Sequence, residues 1–199
     1  MCYALGALNL SPTINNILVV VPEGYELAAK KIIDQYHFDK TSAVIVGGTS
    51  RTESVYNALL HLKKEGEKDE AIVLIQDGDR PRISEDLIKR NILAAETYGA
   101  AVTAIPATDS VFLSEDGEQV ERYVARKKVF LAQTPQTFHF GLIYEAHEKA
   151  HKNKDVSFTD DASVVLSLSL PVHVVAGSAN NVKITTKIDA ERFLREEKK

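Results

Sequence analysis

The fold is decided by one stretch of sequence, Ala71-Ile72-Val73-Leu74-Ile75, which runs directly into Gln76-Asp77-Gly78-Asp79-Arg80-Pro81. An uninterrupted apolar run rich in β-branched residues is typical of a strand buried on both faces, as in a parallel sheet. The polar loop begins where this strand ends. Because ligands of open α/β sheets bind beyond the carboxyl ends of the strands, the loop is the first candidate for a binding site.

The same alternation of buried strands and amphipathic helices continues on both sides of this stretch. Further strands are predicted over 17–21, 43–46, 100–105, 130–138 and 172–175. Helices are predicted over 5–17, 26–36, 52–65, 87–97, 140–152, 160–168 and 187–197, with Ser84 as a candidate cap. This pattern predicts an α/β fold, a Rossmann-like α/β/α layer with a mostly parallel sheet.

One segment breaks the alternation. Residues 111–113 and 120–124 read as two strands around the turn Ser114-Glu115-Asp116-Gly117, which predicts a β-hairpin. We expect residues of about 108–127 to form an arm that projects from the sheet. The length of 199 residues suits one domain over 1–199.

Composition excludes several classes of function. The net charge of -4 disfavours non-specific binding of nucleic acid or of an anionic membrane surface. No apolar run approaches the roughly 20 residues that a transmembrane helix needs. The single cysteine, Cys2, rules out a disulfide framework within the chain. We therefore expect a cytoplasmic protein without nucleic-acid or membrane partners.

The Gly47-Gly48 pair follows a predicted strand and precedes a helix. Glycines let the backbone approach a ligand closely, and a helix N-terminus attracts anions. The alternative is a plain turn with a capping box, because Ser50 and Glu53 fit the pattern S-x-x-E. Both interpretations remain open on the sequence.

Asp77 and Arg80 are the candidates for chemistry in the loop after the central strand. A carboxylate there can hold Mg²⁺ or orient a hydroxyl, and an arginine can bind a phosphate through two donors. The alternative is a local ion pair in a surface turn, which contributes little to stability. Asp79 is interpreted as a solvated turn residue.

Three other features carry weaker signals. Asp160 and Asp161 could bind a metal, but adjacent acids more often begin a helix, and we favour that interpretation. Lys183 could reach a phosphate or be an ordinary exposed lysine. His147 and His151 have the i,i+4 spacing of metal ligands, but no H-E-x-x-H pattern accompanies them, so a solvated helix face is predicted.

Taken in chain order, these segments resemble the 2-C-methyl-D-erythritol 4-phosphate cytidylyltransferases. The resemblance covers nearly the whole chain and rests on the following matches: VGGTSRTESV (46–55) to GG-x-x-R-x-x-S-V, QDGDRP (76–81) to H-D-A-A-R-P, Asp109-Ser110 to D-T, Arg126 to the arginine past the hairpin, QTPQTF (133–138) to Q-T-P-Q-x-F, TDDA (159–162) to T-D-[DE]-A, and NVKITT (181–186) to N-[IV]-K-[IV]-T.

The resemblance implies cytidylyl transfer from CTP to a sugar-alcohol phosphate, with Mg²⁺ and release of pyrophosphate, in isoprenoid precursor synthesis. It implies catalytic roles for Asp77, Arg80 and Lys183, with Asp77 also on the metal. Nucleotide contacts are implied for Gly47, Gly48 and Ser54. Acceptor contacts are implied for Asp109, Ser110 and Arg126. In this family the hairpin is a dimerisation arm, so a homodimer is expected, in which Arg126 reaches the partner's site.

The sequence also departs from the family pattern. The family opens with a strand and an A-A-G-x-G-x-R loop that binds the triphosphate, and the 199 residues contain no such segment. We expect the strands that would flank it to be left unpaired. Gln76 replaces histidine, Gly78-Asp79 replaces two alanines, and Ser110 replaces threonine. These changes leave two alternatives open: a ribitol 5-phosphate cytidylyltransferase, and a non-catalytic dimeric nucleotide-binding module.

Overall fold

The computed structural model describes residues 2–154 and 158–196. The strands are β1 (Ile17–Val21), β2 (Thr41–Val46), β3 (Ile72–Ile75), β4 (Ala100–Pro106), β5 (Val111–Leu113), β6 (Arg122–Val124), β7 (Phe130–His139) and β8 (His173–Ala176). The helices are α1 (Cys2–Leu10), α2 (Glu26–Tyr36), α3 (Arg51–Lys64), α4 (Glu85–Tyr98), α5 (Phe140–Lys152), α6 (Asp161–Leu166) and α7 (Lys187–Glu196).

The predicted α/β fold is confirmed, and the elements lie close to where the sequence places them. The main error is the helix predicted over 5–17, because α1 ends at Leu10. Pro12 explains the early end, since the residue before a proline is disfavoured in the helical conformation. The last position of the helix predicted over 187–197 lies outside the described residues.

The long strand β7 is the centre of a four-stranded sheet with the order β3-β7-β4-β8. It runs antiparallel to both neighbours, β3 and β4, whereas β4 and β8 are parallel. β1 and β2 form a separate parallel pair. Strands β5 and β6 pair antiparallel with each other and form a hairpin of their own.

A wide slot separates the two main sheets. Among the described strands, β1 pairs only with β2 and β3 pairs only with β7, so each keeps one free edge. A cavity of about 1220 Å³ lies between these edges and is walled by β1, β3 and the apolar faces of α1 and α3. This agrees with the expectation of unpaired neighbouring strands. The slot extends along the loop from Gln76 to Asp79.

Helices α3, α5 and α6 bury the main core against the sheet. Its fully buried members include Leu59, Phe138, Ile143, Val164 and Val165. On the other face, α4 is anchored by Leu87 and Ile88 and capped by Ser84, whose hydroxyl accepts from the Leu87 amide at 3.2 Å. The predicted cap is thereby confirmed. No helix within residues 2–154 and 158–196 is long and apolar enough to cross a membrane.

Two leucines of α4 provide a matched test of this packing. Leu87 is 2% exposed and Leu93 is 64% exposed. We expect Leu87→Ala to lower the free energy of unfolding by about 2–5 kcal/mol, because it removes buried apolar surface and leaves a cavity. Leu93→Ala should change it by less than about 0.5 kcal/mol. Urea denaturation measures both, and equal losses would contradict the packing described.

Candidate active site

Three cations surround the carboxylate of Asp77 where β3 ends. The Lys183 ammonium lies 3.0 Å from Oδ2, the Arg51 Nε lies 3.3 Å from Oδ1, and the Arg80 Nε lies 3.7 Å from Oδ2. The Asp77 side chain is only 14% exposed. The structure therefore brings together the three residues predicted as catalytic, Asp77, Arg80 and Lys183, and adds Arg51 to them.

Arg80 and Lys183, the two predicted phosphate-binding cations of this cluster, differ in their exposure and in their hydrogen bonds to the protein. The guanidinium of Arg80 is 11% exposed and donates to the main-chain oxygens of Asn181 at 2.8 Å and Ala132 at 3.4 Å. The Lys183 side chain is 39% exposed, and its ammonium ion-pairs with the carboxylates of Asp77 and Asp79. Lys183 is thus the more accessible of the two to an incoming anion.

Side chains of β7 tie the loops of the site to the sheet. The Thr134 hydroxyl accepts from the Asp77 amide at 3.1 Å, which fixes the start of the Gln76–Pro81 loop. The Asn181 amide donates to the Thr134 carbonyl at 2.7 Å, and the Gln133 amide donates to the Ser178 carbonyl at 3.0 Å. These bonds hold the segment that carries Lys183 against the same strand.

Gly177 is required by this close contact between β7 and the segment after β8. A Cβ at this position would lie 2.4 Å from the Gln133 Oε1 and 3.2 Å from the Ala104 carbonyl. Because backbone stands on one side, a larger residue could enter only by moving the loop.

The second glutamine of β7, Gln136, holds the start of α6. Gln136 donates to Asp160 Oδ2 at 2.9 Å and accepts from the Ala162 amide at 2.9 Å. Asp160 is the N-cap of α6, and it forms a reciprocal capping box with Ser163. The helix-start interpretation of these adjacent acids is therefore correct for Asp160.

Asp161 behaves differently from a solvated acid at a helix start. Its side chain is fully buried, and its Oδ2 accepts from the Arg51 guanidinium at 2.7 Å. On its other side, Oδ1 lies 3.2 Å from His147 Nε2. The prediction of a solvated face for His147 is wrong, because α5 turns this side chain into the core beside Ile143 and Ala150.

His151, the other histidine of that pair, does lie at the surface. It is exposed and stacks on Tyr56 with ring centroids 4.6 Å apart. The i,i+4 spacing therefore does not bring both rings to one ligand, because one of them is turned into the core and the other covers a tyrosine.

The ion pair between Asp161 and Arg51 retains its charges. Burial alone raises the pKa of the Asp161 carboxyl, but the adjacent His147 and Arg51 outweigh it and hold the pKa below its ordinary value. Burial lowers the pKa of the Arg51 guanidinium, and the carboxylates of Asp161 and Asp77 outweigh that effect and raise it. Arg51 is therefore a permanent cation between two carboxylates.

These side chains surround a cleft of about 230 Å³ at the carboxyl ends of the strands. Its walls include Arg51, Asp77, Arg80 and Lys183, and Thr159 lies at its rim. Arg51 and Asp77 also line the larger slot, so the two cavities share one wall. The walls carry three cations and two carboxylates, those of Asp77 and Asp160, and arginine and lysine side chains in such a cleft can bind an anionic ligand such as a phosphate.

The glycine pair and the start of α3 make a compact turn. The Gly48 amide donates to the Ser54 hydroxyl at 3.0 Å, and a Cβ on Gly47 would lie 2.7 Å from that hydroxyl. Ser50 caps α3 by accepting from the Glu53 amide at 3.1 Å. Glu53 bonds to Thr49 rather than back to Ser50, so half of the predicted capping box is present.

The predicted acceptor-binding residues lie apart from the Asp77 cluster. Asp109, Ser110 and Arg126 are exposed at the base of the hairpin. The Arg126 guanidinium donates to the Thr108 carbonyl at 3.0 Å. Within residues 2–154 and 158–196, none of the three hydrogen-bonds or ion-pairs with Asp77, so the fold of one chain does not gather them into the same contact network.

The donors at the cleft fit a magnesium ion that shares its ligands with substrate. No three His, Cys, Asp or Glu side chains of the described chain converge as a protein-only metal cage. Mg²⁺ is commonly held by one or two carboxylates together with substrate phosphates. Asp77 and Asp79 both lie against Lys183, and one buried Asp79 oxygen has no hydrogen-bond partner in the described structure.

The sequence does not reveal the ion pair between Arg51 and Asp161, the burial of His147 or the role of β7. It marks Arg51 only as part of a motif, and it predicts a solvated face for His147. A signal for His147 was present, because it falls on the apolar stripe formed with Ile143, Ala146 and Ala150 at helical spacing. The motif GG-x-x-R includes Arg51, but it does not show the contacts of this residue, which come from residues 26 and 110 positions away.

Comparison with known proteins places these features in a family. A sequence model of the 2-C-methyl-D-erythritol 4-phosphate cytidylyltransferases matches residues 1–196. The enzyme of that name from Syntrophus aciditrophicus is 42% identical over 201 residues, which cover 99% of this chain and 84% of that protein. The one from Alkaliphilus oremlandii is 41% identical over 186 residues, covering 92% and 77% respectively.

Solved structures agree with this result. The 2-C-methyl-D-erythritol 4-phosphate cytidylyltransferase of Thermus thermophilus is similar with a TM-score of 0.78 and 33% identity, over 97% of this chain and 87% of that one. The 4-diphosphocytidyl-2C-methyl-D-erythritol synthase of Anaerococcus prevotii gives a TM-score of 0.85 and 28% identity, over 100% and 85%.

The buried charge of Asp161 predicts a specific dependence on pH. Its folded pKa is depressed, so the unfolded chain, with an aspartate pKa near about 3.9, takes up the proton first as the pH falls. We expect wild type to be more stable than Asp161→Asn by a constant margin above about pH 5, shrinking below about pH 4. Denaturant titrations at several pH values measure this margin.

The exposed Asp86 on α4 provides the control, since its side chain is 77% exposed. Asp86→Asn should differ little from wild type at every pH. A margin for Asp161→Asn that stayed constant down to about pH 2 would contradict a charged Asp161 in the folded protein.

Proposed function

The chain belongs to the 2-C-methyl-D-erythritol 4-phosphate cytidylyltransferase family, and on this premise we propose that it transfers the cytidylyl group of CTP to 2-C-methyl-D-erythritol 4-phosphate. Pyrophosphate is the second product, and the reaction serves isoprenoid precursor synthesis. The observation that carries the proposal is the cationic cleft around Asp77, where Arg80 and Lys183 meet from distant segments. The matches to the family confirm the resemblance carried by the ordered motifs.

The reaction joins a phosphate oxygen of the acceptor to the α-phosphorus of CTP and breaks the bond from that phosphorus to the bridging oxygen of pyrophosphate. Little covalent chemistry is required of the protein in such a transfer, which depends on alignment of two anions and on neutralisation of charge. Lys183, the more accessible cation, neutralises charge that develops on the reacting phosphate. Arg80 holds the acceptor phosphate from within the loop.

The remaining contacts follow the family pattern as proposals. Gly47 and Gly48 bring the backbone close to the cytidine, and Ser54 adds a hydroxyl beside them, a role consistent with its bond to the Gly48 amide. Asp109, Ser110 and Arg126 contact the acceptor. Their distance from the Asp77 network within one chain is consistent with an Arg126 that serves the partner's site.

Magnesium is proposed as the metal cofactor, held by Asp77, with Asp79 beside it, and by oxygens of the triphosphate. When bound, it would offset the negative charge of the triphosphate.

Assembly and location are also proposed from the family. The chain acts as one nucleotidyltransferase domain over 1–199 and forms a cytoplasmic homodimer through the hairpin arm. Exposed aromatic rings on the arm support this, because Phe112 is 49% and Tyr123 69% exposed. Exposed aromatic side chains are common at protein interfaces.

Pyrophosphate release from CTP, Mg²⁺ and 2-C-methyl-D-erythritol 4-phosphate tests the activity. We expect Lys183→Ala to lower kcat by about 100- to 1000-fold, the usual cost of removing a group that stabilises developing charge. Lys149→Ala is the control, since Lys149 is an exposed lysine of α5 that pairs with Glu145. Absence of release by wild type, or an unchanged rate for Lys183→Ala, would contradict the proposal.

The acceptor is tested separately, because Asp79 introduces an acid where the family has alanine. We expect a higher kcat/KM with 2-C-methyl-D-erythritol 4-phosphate than with ribitol 5-phosphate. The opposite preference would assign the chain to the ribitol alternative. Calorimetric binding of CTP without turnover of either acceptor would favour the non-catalytic module.

A further inference from the structure

Arg51 links two carboxylates of very different exposure. Its Nη2 lies 2.7 Å from the fully buried Asp161 Oδ2, and its Nε lies 3.3 Å from Asp77 Oδ1 at the wall of the cleft. Arg51 is the first residue of α3, Asp161 is the first residue of α6, and Asp77 follows β3. One guanidinium therefore fixes the relative position of three elements.

Asp161 is placed behind the site rather than in it. Its side chain has no exposed surface, and Arg51 stands between it and the cleft. His147, also fully buried, closes the far side at 3.2 Å. A substrate anion cannot reach Asp161, so a kinetic effect of this residue is indirect, and its 2.7 Å bond to Arg51 is the contact that leads toward Asp77.

Two features favour a supporting role for Arg51 over direct contact with phosphate. Its strongest hydrogen bond, at 2.7 Å, points away from the cleft toward the buried carboxylate. Its Nε and Nη2 both face carboxylates, so two of the three guanidinium nitrogens are already used in linking Asp77 to Asp161. Lys183 and Arg80 already face the other Asp77 oxygen.

We propose that Arg51 and Asp161 are a positioning pair that holds the Asp77 carboxylate, and through it Lys183, in the orientation used for cytidylyl transfer. Asp161 lies behind the cleft and Arg51 in its wall, and the role assigned to both is to hold Asp77 and not to bind substrate. The inference rests on the proposed function for its kinetic test, whereas the geometry it predicts for Asp77 can be tested without turnover.

The planar fork of arginine is essential to this role. A guanidinium presents donors in a fixed plane and can bridge two carboxylates at once, whereas an ammonium is a single point charge. Arg51→Lys should keep the charge beside Asp161, and with it the fold, but lose the link to Asp77. Asp161→Asn should remove the anchor while leaving Arg51 in the sequence.

The kinetic test compares Arg51→Lys and Asp161→Asn with wild type. We expect each to lower kcat by about 10- to 100-fold, because small displacements of reacting groups are costly. KM for CTP and for the acceptor should stay within about twofold in both, since neither residue binds substrate. The double variant should be no slower than the slower single variant, because both changes break one link.

Matched surface variants provide the controls. Arg195→Lys and Asp86→Asn change the same residue types at exposed positions, 78% and 77% exposed respectively, and should leave kcat unchanged. Thermal unfolding of every variant separates loss of fold from loss of positioning. If Asp161→Asn fails to fold, Arg51→Lys alone still decides the kinetic question.

Crystal structures of Arg51→Lys and Asp161→Asn without substrate give the readout that does not need activity. We expect the Asp77 carboxylate to rotate away from its present position, with loss of its 3.0 Å contact to Lys183. If wild type showed no turnover but this rotation occurred, the proposed function would fail and the positioning pair would stand. An unmoved Asp77 would overturn the pair.

The kinetic results also distinguish a positioning pair from a direct contact between Arg51 and substrate. If Arg51→Lys raised KM for CTP or the acceptor severalfold while Asp161→Asn left kcat unchanged, Arg51 would be a direct substrate ligand and the inference would be wrong. Multiplicative losses in the double variant would also overturn it, since they would show two independent effects.

Discussion

The carboxylate of Asp77 is the point on which the rest of the site depends. A partly buried carboxylate is costly unless cations or donors compensate it, and here Arg51, Arg80 and Lys183 do so from three separate segments. Each of these cations would repel the others without the acid between them. The same interaction therefore stabilises the fold and concentrates positive charge where a phosphate would bind.

The strand β7 makes that arrangement possible. It runs antiparallel between β3 and β4, and its polar side chains point at the loops instead of the core. Gln133, Thr134 and Gln136 are buried, and each of them bonds to a different loop of the site. Buried polar groups need hydrogen-bond partners, and these three side chains find theirs in the loops of the site. Their hydrogen bonds therefore hold the loops against β7.

Much of the fold and part of the site could be predicted from sequence. Periodicity located the strands and helices, and a proline explains the one helix that ended early. Ordered motifs indicated Asp77, Arg80 and Lys183 as candidates, and the structure places the charged nitrogens of Arg80 and Lys183 within 3.7 Å of the Asp77 carboxylate. Motifs could not show that Arg80 is largely committed to main-chain carbonyls, because a motif records residue types and not their hydrogen-bond partners.

The sequence by itself determined the α/β class, the location of the loops at strand ends and the identity of the residues in them, because these follow from local patterns of apolar and polar residues. Only the tertiary structure decided that Asp161 and His147 are buried together behind the cleft, and that Arg51 joins them to Asp77. The physical reason is that burial and ion pairing depend on contacts between residues far apart in the chain. Residues 51, 77 and 161 come into contact only when three elements pack on one sheet.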